Sequence, residues 1–347
     1  MTEVMKGLVK EKPELGAVLY NNLPIPEVKE NEILIKVKAT AICGTDIHIY
    51  DWTKYAQDRL QLPMVFGHEF AGDVVEVGSM VKNFKKGDRV AGETHIPCNY
   101  CYQCQTGNRH ICESMKIIGV QTPGSFAEYI SIPVDCAWRL DDSLSYETGA
   151  MLEPMGVAVH GVLSGEIGGK TVAIYGCGPI GLMAVGTAAA CGASKIFAMD
   201  VFEKKLEVAK KIGADIVLKS GQDNVVKTVL DATDGRGVDV VLDYSGNAKA
   251  IQEGFNILRK GGRFTFVGLP NGTVALDLSE DIIYKETKVN GVTGRLMYET
   301  WWQCSELLKS GKLEIKPVIG GVYPLEDYEQ AFDALKNGAP GKMILIP

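Results

Sequence analysis

Residues 171–181 read TVAIYGCGPIG, a five-residue apolar run followed by the motif Gly-x-Gly-x-x-Gly. The run predicts a buried strand, and the apolar segment 180–191 predicts the helix that follows it. In this context Gly176 permits a tight turn, Gly178 lets a pyrophosphate approach the backbone, and Gly181 allows the helix to pack on the strand. The stretch therefore predicts a dinucleotide-binding βαβ unit.

An acidic residue ends the next predicted strand, KIFAMD at 195–200. A carboxylate at Asp200 can accept both ribose hydroxyls and repels a 2′-phosphate, which predicts NAD rather than NADP. Lys204 and Lys205 follow closely and weaken that electrostatic exclusion. The alternative interpretation is a glycine-rich turn followed by a surface aspartate.

From about residues 166–170 strands and helices alternate, and this rhythm continues to about residue 296. This rhythm predicts a doubly wound parallel sheet. The strands of this region are predicted at 171–175, 195–200, 215–218, 238–244 and 263–269. The first 150 or so residues are β-rich instead, with short alternating runs at 33–39, 70–77 and 126–132. Beyond the sheet, helices are predicted at 298–310 and 325–336 and a closing strand at 343–346.

The composition is that of a folded protein, with 347 residues, 46% hydrophobic and 23% charged. At about 150 residues per domain this length predicts two domains. The 36 basic and 43 acidic residues give a net charge of −7, so we expect no nucleic acid and no anionic membrane as a partner. Charges interrupt every apolar run near the N-terminus, and we expect a cytoplasmic protein with its nine cysteines reduced.

Four cysteines are clustered in the pattern C-x2-C-x2-C-x7-C, at Cys98, Cys101, Cys104 and Cys112. Four thiolates at this spacing can close a tetrahedron around Zn²⁺ and leave no position open, which predicts a structural site. The surrounding segment 97–113 has little hydrophobic periodicity, so the metal would replace a core. An iron–sulfur cluster also uses four cysteines. A nucleic-acid zinc finger is a further alternative, but the segment lacks basic neighbours.

A second set of candidate ligands is dispersed along the chain: Cys43, His68, Glu69 and Glu153. Each has an ordinary interpretation as a buried thiol, a structural histidine or a surface carboxylate. Spacing alone does not decide between these interpretations and a shared metal site.

The motifs CGTDIH (43–48), GHEFAGDVVEVG (67–78) and GDRV (87–90), together with the four-cysteine segment and GCGPIG (176–181), are similar to those of one family. Over essentially its whole length the chain resembles the zinc-dependent medium-chain alcohol dehydrogenases. The resemblance implies a GroES-like β-barrel catalytic domain at 1–157 and 297–347, with its structural zinc lobe at 97–113. It implies a Rossmann domain at 158–296, a small-molecule substrate and a homotetramer.

The resemblance also implies roles for individual residues. Cys43, His68 and Glu69 match catalytic zinc ligands, and Glu153 matches a carboxylate that either ligates zinc or lies just behind it. With the structural site, this implies two Zn²⁺ per chain. Thr45 and His48 match a proton relay. The positions that match contacts to NAD are Gly176, Gly178, Ile180, Gly181, Asp200, Lys205, Val267, Gly268, Leu269, Val292 and Thr293.

The segments 41–52 and 294–302 resemble family members that oxidise the Cβ hydroxyl of L-threonine. His95 and Arg295 then become candidate substrate contacts. His95 matches a position tied to substrate selection in these members, and the Arg295 guanidinium could bind the substrate carboxylate bidentately. Val157 departs from this pattern, since those members usually carry Asn there. A polyol or 2,3-butanediol is therefore the alternative substrate. A non-catalytic NAD sensor is disfavoured, because the ligand and relay residues are all present.

Overall fold

The structure is a computed structural model that describes residues 3–347. The strands are β1 (Val4–Lys10), β2 (Val18–Pro24), β3 (Glu32–Ala41), β4 (Met64–Val65), β5 (Glu69–Val77), β6 (Arg89–Gly92), β7 (His95–Ile96), β8 (Lys116–Ile117), β9 (Tyr129–Pro133), β10 (Ala137–Arg139), β11 (Thr171–Tyr175), β12 (Lys195–Asp200), β13 (Ile216–Lys219), β14 (Val238–Asp243), β15 (Leu258–Phe266), β16 (Lys288–Gly291), β17 (Ile319–Pro324) and β18 (Lys342–Ile346). The helices are α1 (Gly44–Tyr50), α2 (Lys54–Gln57), α3 (Tyr102–Gln105), α4 (Tyr146–Ala150), α5 (Leu152–Leu163), α6 (Pro179–Ala190), α7 (Glu203–Lys211), α8 (Val225–Asp231), α9 (Ala248–Ile257), α10 (Glu299–Lys309) and α11 (Tyr328–Lys336).

The chain divides into two compact units. The first unit comprises the chain up to Glu153 together with Ile319–Asn337 and Lys342–Pro347, and the second comprises Pro154–Val318 and Gly338–Gly341. The first unit is therefore built from both ends of the sequence.

A seven-stranded sheet forms the centre of the first unit, in the order β10-β6-β5-β3-β18-β17 with β9 also paired to β3. Strand β3 is the long central element, and it alternates because only one of its faces is fully covered: Ile33, Ile35 and Val37 are buried while Lys36 is exposed. These apolar side chains form a core with Phe70 and others from neighbouring strands.

A six-stranded parallel sheet forms the second unit, in the order β13-β12-β11-β14-β15-β16. The predicted doubly wound fold is confirmed. Strand β11 is apolar throughout because helices cover both faces of such a sheet, and residues 172–175 are at most 1% exposed. The strand order reverses between β11 and β14, where open α/β sheets bind ligands at the carboxyl ends of their strands.

Several predicted strands differ from the observed ones at their ends, and two of them differ by three residues or more. The run predicted at 126–132 begins as a strand at Tyr129, and the run predicted at 263–269 ends at Phe266. The second strand ends there because its partner β14 ends at Asp243, which pairs with Phe266. The N–H groups of Val267 and Gly268 both donate to the Asp243 carbonyl, at 2.9 and 2.8 Å, so β15 gains no further partner residue on β14.

The division into compact units also differs from the predicted domain boundaries. Residues 297–318, which we expected in the first domain, lie in the second unit, as do residues 154–157. One reason is local packing: Leu313 is buried and lies against Gly186 of α6, where an added Cβ would meet its side chain at 2.6 Å. The boundaries of the functional domains stay a prediction.

Within residues 3–347, each helix falls short of the length and apolar character needed to cross a bilayer.

Candidate functional site

The dispersed candidate ligands meet at the ends of two strands in the first unit. Glu69 begins β5 and pairs with Ala41 at the end of β3 in the antiparallel register. Cys43 follows two residues after β3 and precedes α1, and His68 directly precedes β5. One ligand atom each from Cys43, His68 and Glu69 lies within 4.8 Å of the other two. The register of β3 and β5 therefore brings the three side chains together.

Asp46 connects two of these residues from the first turn of α1. Its Oδ2 accepts the backbone N–H of Cys43 at 2.8 Å, and its Oδ1 lies 3.6 Å from Nδ1 of His68. Burial raises the pKa of Asp46, and the neighbouring His68 opposes that shift. A carboxylate beside one ring nitrogen fixes the imidazole so that the other nitrogen can face a metal.

Lys342 approaches the group from β18. Its Nζ lies 2.6 Å from Oε1 of Glu69 and donates to the Ile42 carbonyl at 3.1 Å, and both charged side chains are at most 3% exposed. Burial alone would lower the pKa of Lys342, but the neighbouring acidic groups, Glu69 first and then Cys43 and Glu153, together outweigh burial and raise it. The ammonium therefore stays charged and balances one acidic group of the cluster.

The donor set fits a zinc ion. Among the described residues, Oε2 of Glu69 is buried without a hydrogen-bond partner, and burial raises the pKa of the Cys43 thiol. A cation would give the carboxylate oxygen a partner and favour the thiolate. Thiolate, imidazole and carboxylate are ligand types that Zn²⁺ takes, and three protein ligands leave one position open.

Glu153 lies close to this group without joining it. It is 6% exposed, and its charge contributes to raising the pKa of both Cys43 and Asp46. In the described part of the chain, the group of mutually close ligand atoms contains only Cys43, His68 and Glu69. Glu153 therefore lies beside the group, where a carboxylate could influence the charge of the site.

The four clustered cysteines converge on one point within the first unit. Their sulfur atoms lie within 4.8 Å of one another, with Cys98 to Cys104 at 4.0 Å and Cys101 to Cys112 at 3.9 Å. A tetrahedral site with metal–sulfur distances of about 2.3 Å has sulfur–sulfur edges of about 3.8 Å, so the spacing fits zinc. Hydrogen bonding, first from the Cys104 backbone, lowers the pKa of Cys101 to about 6 and favours the thiolate that binds metal.

The two predicted relay residues lie on α1, directly after Cys43. Thr45 is partly buried and His48 is exposed. Along α1 after Cys43, the threonine hydroxyl therefore comes first, and the solvent-exposed imidazole follows it. Oγ1 of Thr53 lies 3.3 Å from Nδ1 of His48.

The glycine-rich loop joins β11 to α6 in the second unit. Gly176 has φ +89°, and a Cβ on Gly181 would lie 1.8 Å from the Gly176 carbonyl oxygen. Both positions therefore require glycine. Gly178 caps α6, and no atom lies within 4 Å of where its Cβ would be, which leaves its backbone open to a phosphate.

Asp200 lies beside this loop at the end of β12. Its Oδ2 accepts the N–H of Cys177 at 2.7 Å and its Oδ1 accepts the N–H of Phe202 at 3.0 Å. Asp200 and Gly176 line a cavity of about 500 Å³ at the carboxyl ends of the strands. A carboxylate fixed in this place suits the ribose of a dinucleotide.

The other predicted cofactor positions follow strands of the parallel sheet at their carboxyl ends or lie on the helices α6 and α7. Gly268 is packed on Gly246, where an added Cβ would lie 2.4 Å from the backbone nitrogen, while Leu269 is 92% exposed. Lys205 places its ammonium 4.7 Å from the Phe202 ring centroid. Of the remaining positions, Ile180, Val267 and Val292 are partly buried and Thr293 is exposed.

The two predicted substrate contacts lie in different units. His95 is in the first unit, where its N–H donates to the buried Glu93 carboxylate at 2.8 Å and its Nδ1 lies 3.3 Å from the same oxygen. Arg295 is in the second unit and is 1% exposed. Its side chain packs on Gly156, where an added Cβ would meet it at 2.8 Å.

Sequence reasoning missed several residues of these sites. Asp46 lies inside the quoted CGTDIH motif, and its position three residues after Cys43 was an available signal. Lys342 gave no local signal, because its partner Glu69 lies 273 residues away. Tyr175 and Glu253 also line the cavity beside Asp200, and the sequence did not mark them as cofactor residues.

Comparisons with known proteins agree with this arrangement. Residues 29–142 match the family model described as alcohol dehydrogenase GroES-like domain. Residues 179–310 match the model described as zinc-binding dehydrogenase.

Full-length relatives carry one name. The L-threonine 3-dehydrogenase of Bacillus velezensis is 46% identical over 344 residues, covering 99% of each chain. The L-threonine 3-dehydrogenase of Pyrococcus furiosus is 44% identical over 347 residues, covering 100% of this chain and 99% of its own.

Solved structures share the whole fold at lower identity. A zinc-binding dehydrogenase from Sinorhizobium meliloti bound to NADP has a TM-score of 0.91 at 30% identity, covering 100% of both chains. The 2R,3R-butanediol dehydrogenase from Bacillus subtilis has a TM-score of 0.90 at 29% identity, covering 99% of both chains.

Proposed function

The chain belongs to the zinc-binding alcohol dehydrogenases, and from this premise we propose that it oxidises the Cβ hydroxyl of L-threonine with NAD⁺ to give 2-amino-3-oxobutanoate. The observation that carries the proposal is the convergence of a thiol, an imidazole and a carboxylate at Cys43, His68 and Glu69. Full-length relatives at 44–46% identity that are L-threonine 3-dehydrogenases support the substrate.

We propose two zinc ions per chain, one for each ligand group. Cys43, His68 and Glu69 would hold the catalytic ion, with Glu153 as a further ligand or as a charge beside it. The four clustered cysteines would hold the structural ion. When bound, the catalytic zinc lowers the pKa of the alcohol hydroxyl as a Lewis acid, and the nicotinamide ring accepts the hydride.

Oxidation removes a hydride from carbon and a proton from oxygen, and the chain must conduct the proton to solvent. We assign this to Thr45, which receives the proton through its hydroxyl, and to His48, which releases it. Histidine suits the final step because an imidazole can both accept and release a proton, and the His48 side chain is exposed.

NAD⁺ rather than NADP⁺ is the proposed cofactor because of Asp200. Both of its oxygens are held by backbone N–H groups at 2.7 and 3.0 Å, so the carboxylate cannot turn away from a 2′-phosphate without losing them. The negative charge is then close to the place where NADP would carry its own.

The zwitterionic substrate needs partners for its charged groups. We propose Arg295 for the carboxylate and His95 as a contact that selects the substrate, since a guanidinium binds a carboxylate in two hydrogen bonds. We further propose a cytoplasmic homotetramer. All nine cysteines are free thiols, which suits a reducing compartment.

A substrate panel tests the proposal. Zinc-loaded protein is assayed by NADH or NADPH formation with L-threonine, L-threonine amide, sorbitol and 2,3-butanediol, each with NAD⁺ and NADP⁺. We expect the highest kcat/KM for L-threonine with NAD⁺ and a raised KM for the amide, which lacks the carboxylate charge. Mild chelation should abolish turnover before the fold is lost.

The same panel separates the alternatives. Preference for sorbitol or 2,3-butanediol would replace threonine with a polyol or diol, which the similarity to a butanediol dehydrogenase and the presence of Val157 favour as the second candidate. Binding of NAD⁺ and zinc without oxidation of any alcohol would point to a nucleotide sensor. Size-exclusion chromatography tests the tetramer.

A further inference from the structure

The helix α5 is held on the parallel sheet by hydrogen bonds to carbonyl groups of its backbone and its C-terminal end. The hydroxyl of Tyr244 donates to the Ala158 carbonyl at 3.0 Å. The buried guanidinium of Arg263 donates to the Gly161 carbonyl at 3.4 Å and to the Val162 carbonyl at 3.1 Å. Tyr244 directly follows β14 and Arg263 lies in β15, so the sheet fixes the place of α5 within the second unit.

The segment 292–296 lies against this helix at two places. Gly156 and His160 are four residues apart, so they share one face of α5. An added Cβ on Gly156 would meet the Arg295 side chain at 2.8 Å, and the glycine therefore makes room for the arginine. Nδ1 of His160 lies 3.1 Å from the Gly294 carbonyl oxygen. One face of α5 thus contacts both a side chain and the backbone of the segment.

The two ends of the segment are held by other hydrogen bonds. The N–H of Val292 donates to the Phe266 carbonyl at 2.9 Å. Oγ1 of Thr300 donates to the Leu296 carbonyl at 2.9 Å. Between these ends the chain turns at Gly294, whose φ of +58° favours glycine. The imidazole contact therefore acts at the turn.

The chemistry of the imidazole contact assigns its proton. A carbonyl oxygen only accepts, so Nδ1 of His160 carries the hydrogen. Burial lowers the pKa of His160, and the Gly294 carbonyl and Glu299 oppose that shift. A neutral ring with its proton on Nδ1 donates to the carbonyl as the charged ring does, so the contact does not require a charge.

We propose that His160 is a positioning residue for the ligand contacts of this segment, acting through the Gly294 carbonyl. The inference rests on the proposed function, in which Arg295 binds the substrate carboxylate, and on the predicted contact of Thr293 with NAD⁺. Gly294 lies between these two residues in sequence. Because peptide groups are planar, a shift of the Gly294 carbonyl moves the backbone that carries its neighbours. Sequence reasoning did not mark His160.

The experiment compares three variants that differ in the position of the donor. His160→Asn places an amide N–H close to the position of Nδ1, His160→Gln places it close to the position of Nε2, and His160→Leu has no donor. The matched control is Thr187→Val, which removes a buried side-chain hydrogen bond to the Met183 carbonyl in α6 of the same unit.

Four quantities are measured for each zinc-loaded protein. They are kcat and KM for L-threonine at saturating NAD⁺, kcat/KM for L-threonine amide, the Kd for NAD⁺ without substrate, and amide hydrogen exchange of residues 292–296. The last two report on the segment without any turnover.

We expect His160→Leu and His160→Gln to raise KM for L-threonine and the Kd for NAD⁺ about fivefold and to speed exchange at 292–296, because one positioning hydrogen bond is lost. The kcat should stay within about twofold, since no metal ligand or relay residue changes. For the amide, kcat/KM should also change less than twofold, because this substrate lacks the carboxylate that Arg295 would bind. His160→Asn and Thr187→Val should match the wild type.

Three results would overturn the inference. The first is His160→Asn with the same defects as His160→Gln, since the Nδ1 bond would then not matter. The second is His160→Leu with wild-type KM, Kd and exchange. The third is an equal loss of kcat/KM for L-threonine and for its amide. A wild type that oxidises neither substrate would instead contradict the proposed function, and the Kd for NAD⁺ and the exchange of 292–296 would still decide whether His160 positions the segment.

Discussion

Lys342 shows how a side chain far away in sequence can balance the charge of a candidate metal ligand. It is buried against Glu69, whose other carboxylate oxygen is available to a cation. The Glu69 carboxylate can therefore have two positive partners, the ammonium at one oxygen and a metal at the other. Removing the ammonium should matter most when the metal is absent.

We predict that Lys342→Met destabilises the metal-free protein by about 3–5 kcal/mol, because breaking a buried pair leaves an uncompensated charge. With zinc bound the loss should be smaller, since the cation also stabilises the carboxylate. Urea unfolding of both forms measures this. Lys336→Met is the control, because its partly exposed pair with Asp51 should contribute at most about 1 kcal/mol. Equal losses for the two variants would contradict the prediction.

The candidate sites lie at the ends of strands. In the second unit, the Asp239 side chain joins three strands through hydrogen bonds and an ion pair. Oδ2 of Asp239 in β14 accepts the N–H and hydroxyl of Thr171 in β11 at 2.8 and 2.9 Å. Its Oδ1 accepts a hydrogen bond from the Nε–H group of Arg259 in β15 at 2.7 Å. Burial would raise the pKa of Asp239, but these hydrogen bonds and the guanidinium charge outweigh it and lower the pKa.

This arrangement predicts a pH-dependent contribution to stability. The folded-state pKa of Asp239 lies below its ordinary value of 3.8, so the carboxylate stabilises the fold above about pH 4 and loses this effect as the pH falls through the folded pKa. Asp239→Asn should cost about 1 kcal/mol at neutral pH, and the difference from wild type should shrink below pH 4. Urea unfolding from pH 3 to 8 measures it, with the exposed Asp231→Asn as a control; a difference that is constant with pH would be evidence against this assignment.

Strands with a regular hydrophobic pattern were predictable from the sequence, but the strand ends that depend on contacts with a neighbouring strand were not. The runs at 171–175 and 195–200 match β11 and β12 residue for residue, because fully buried parallel strands carry an uninterrupted apolar signal. The C-terminal end of β15 depends on where its partner β14 ends, at Asp243, which leaves no mark in the local pattern of β15.

The candidate sites divide in the same way. The four cysteines and the glycine loop are compact in sequence, so spacing was enough to group them. Cys43, His68 and Glu69 were grouped only through a family resemblance, because the register of β3 and β5 that joins them is a property of the sheet. Lys342 acts through a contact made by a distant strand, which no spacing rule reports.

On the scale of the whole molecule, the two ligand classes belong to different compact units. Both candidate metal groups lie in the first unit, and the cavity beside Asp200, the proposed nucleotide site, lies in the second. Bound ligands stabilise the structure that holds them, so each should protect its own unit.

We predict that chelating the metals increases amide hydrogen exchange in residues 97–113 and around Cys43 and His68, while β11 to β15 stay protected. Adding NAD⁺ should instead lower exchange near Gly176 and Asp200. Mass-spectrometric exchange on the zinc-loaded enzyme measures both, with chelator presaturated by zinc as the control. A uniform rise over both units after chelation would contradict the separation of the two ligand classes.

The place of β18 beside β3 in the first sheet has a consequence for the order in which the protein matures. A ribosome delivers residues 154–318, the larger segment of the second unit, before β17 and β18 are made; β18 pairs with β3, and β17 pairs with β18. The second unit can thus fold while synthesis continues, whereas the first unit must wait for β17 and β18. Lys342 lies on β18, so the nascent polypeptide holds Glu69 without its ammonium partner until that strand has been made.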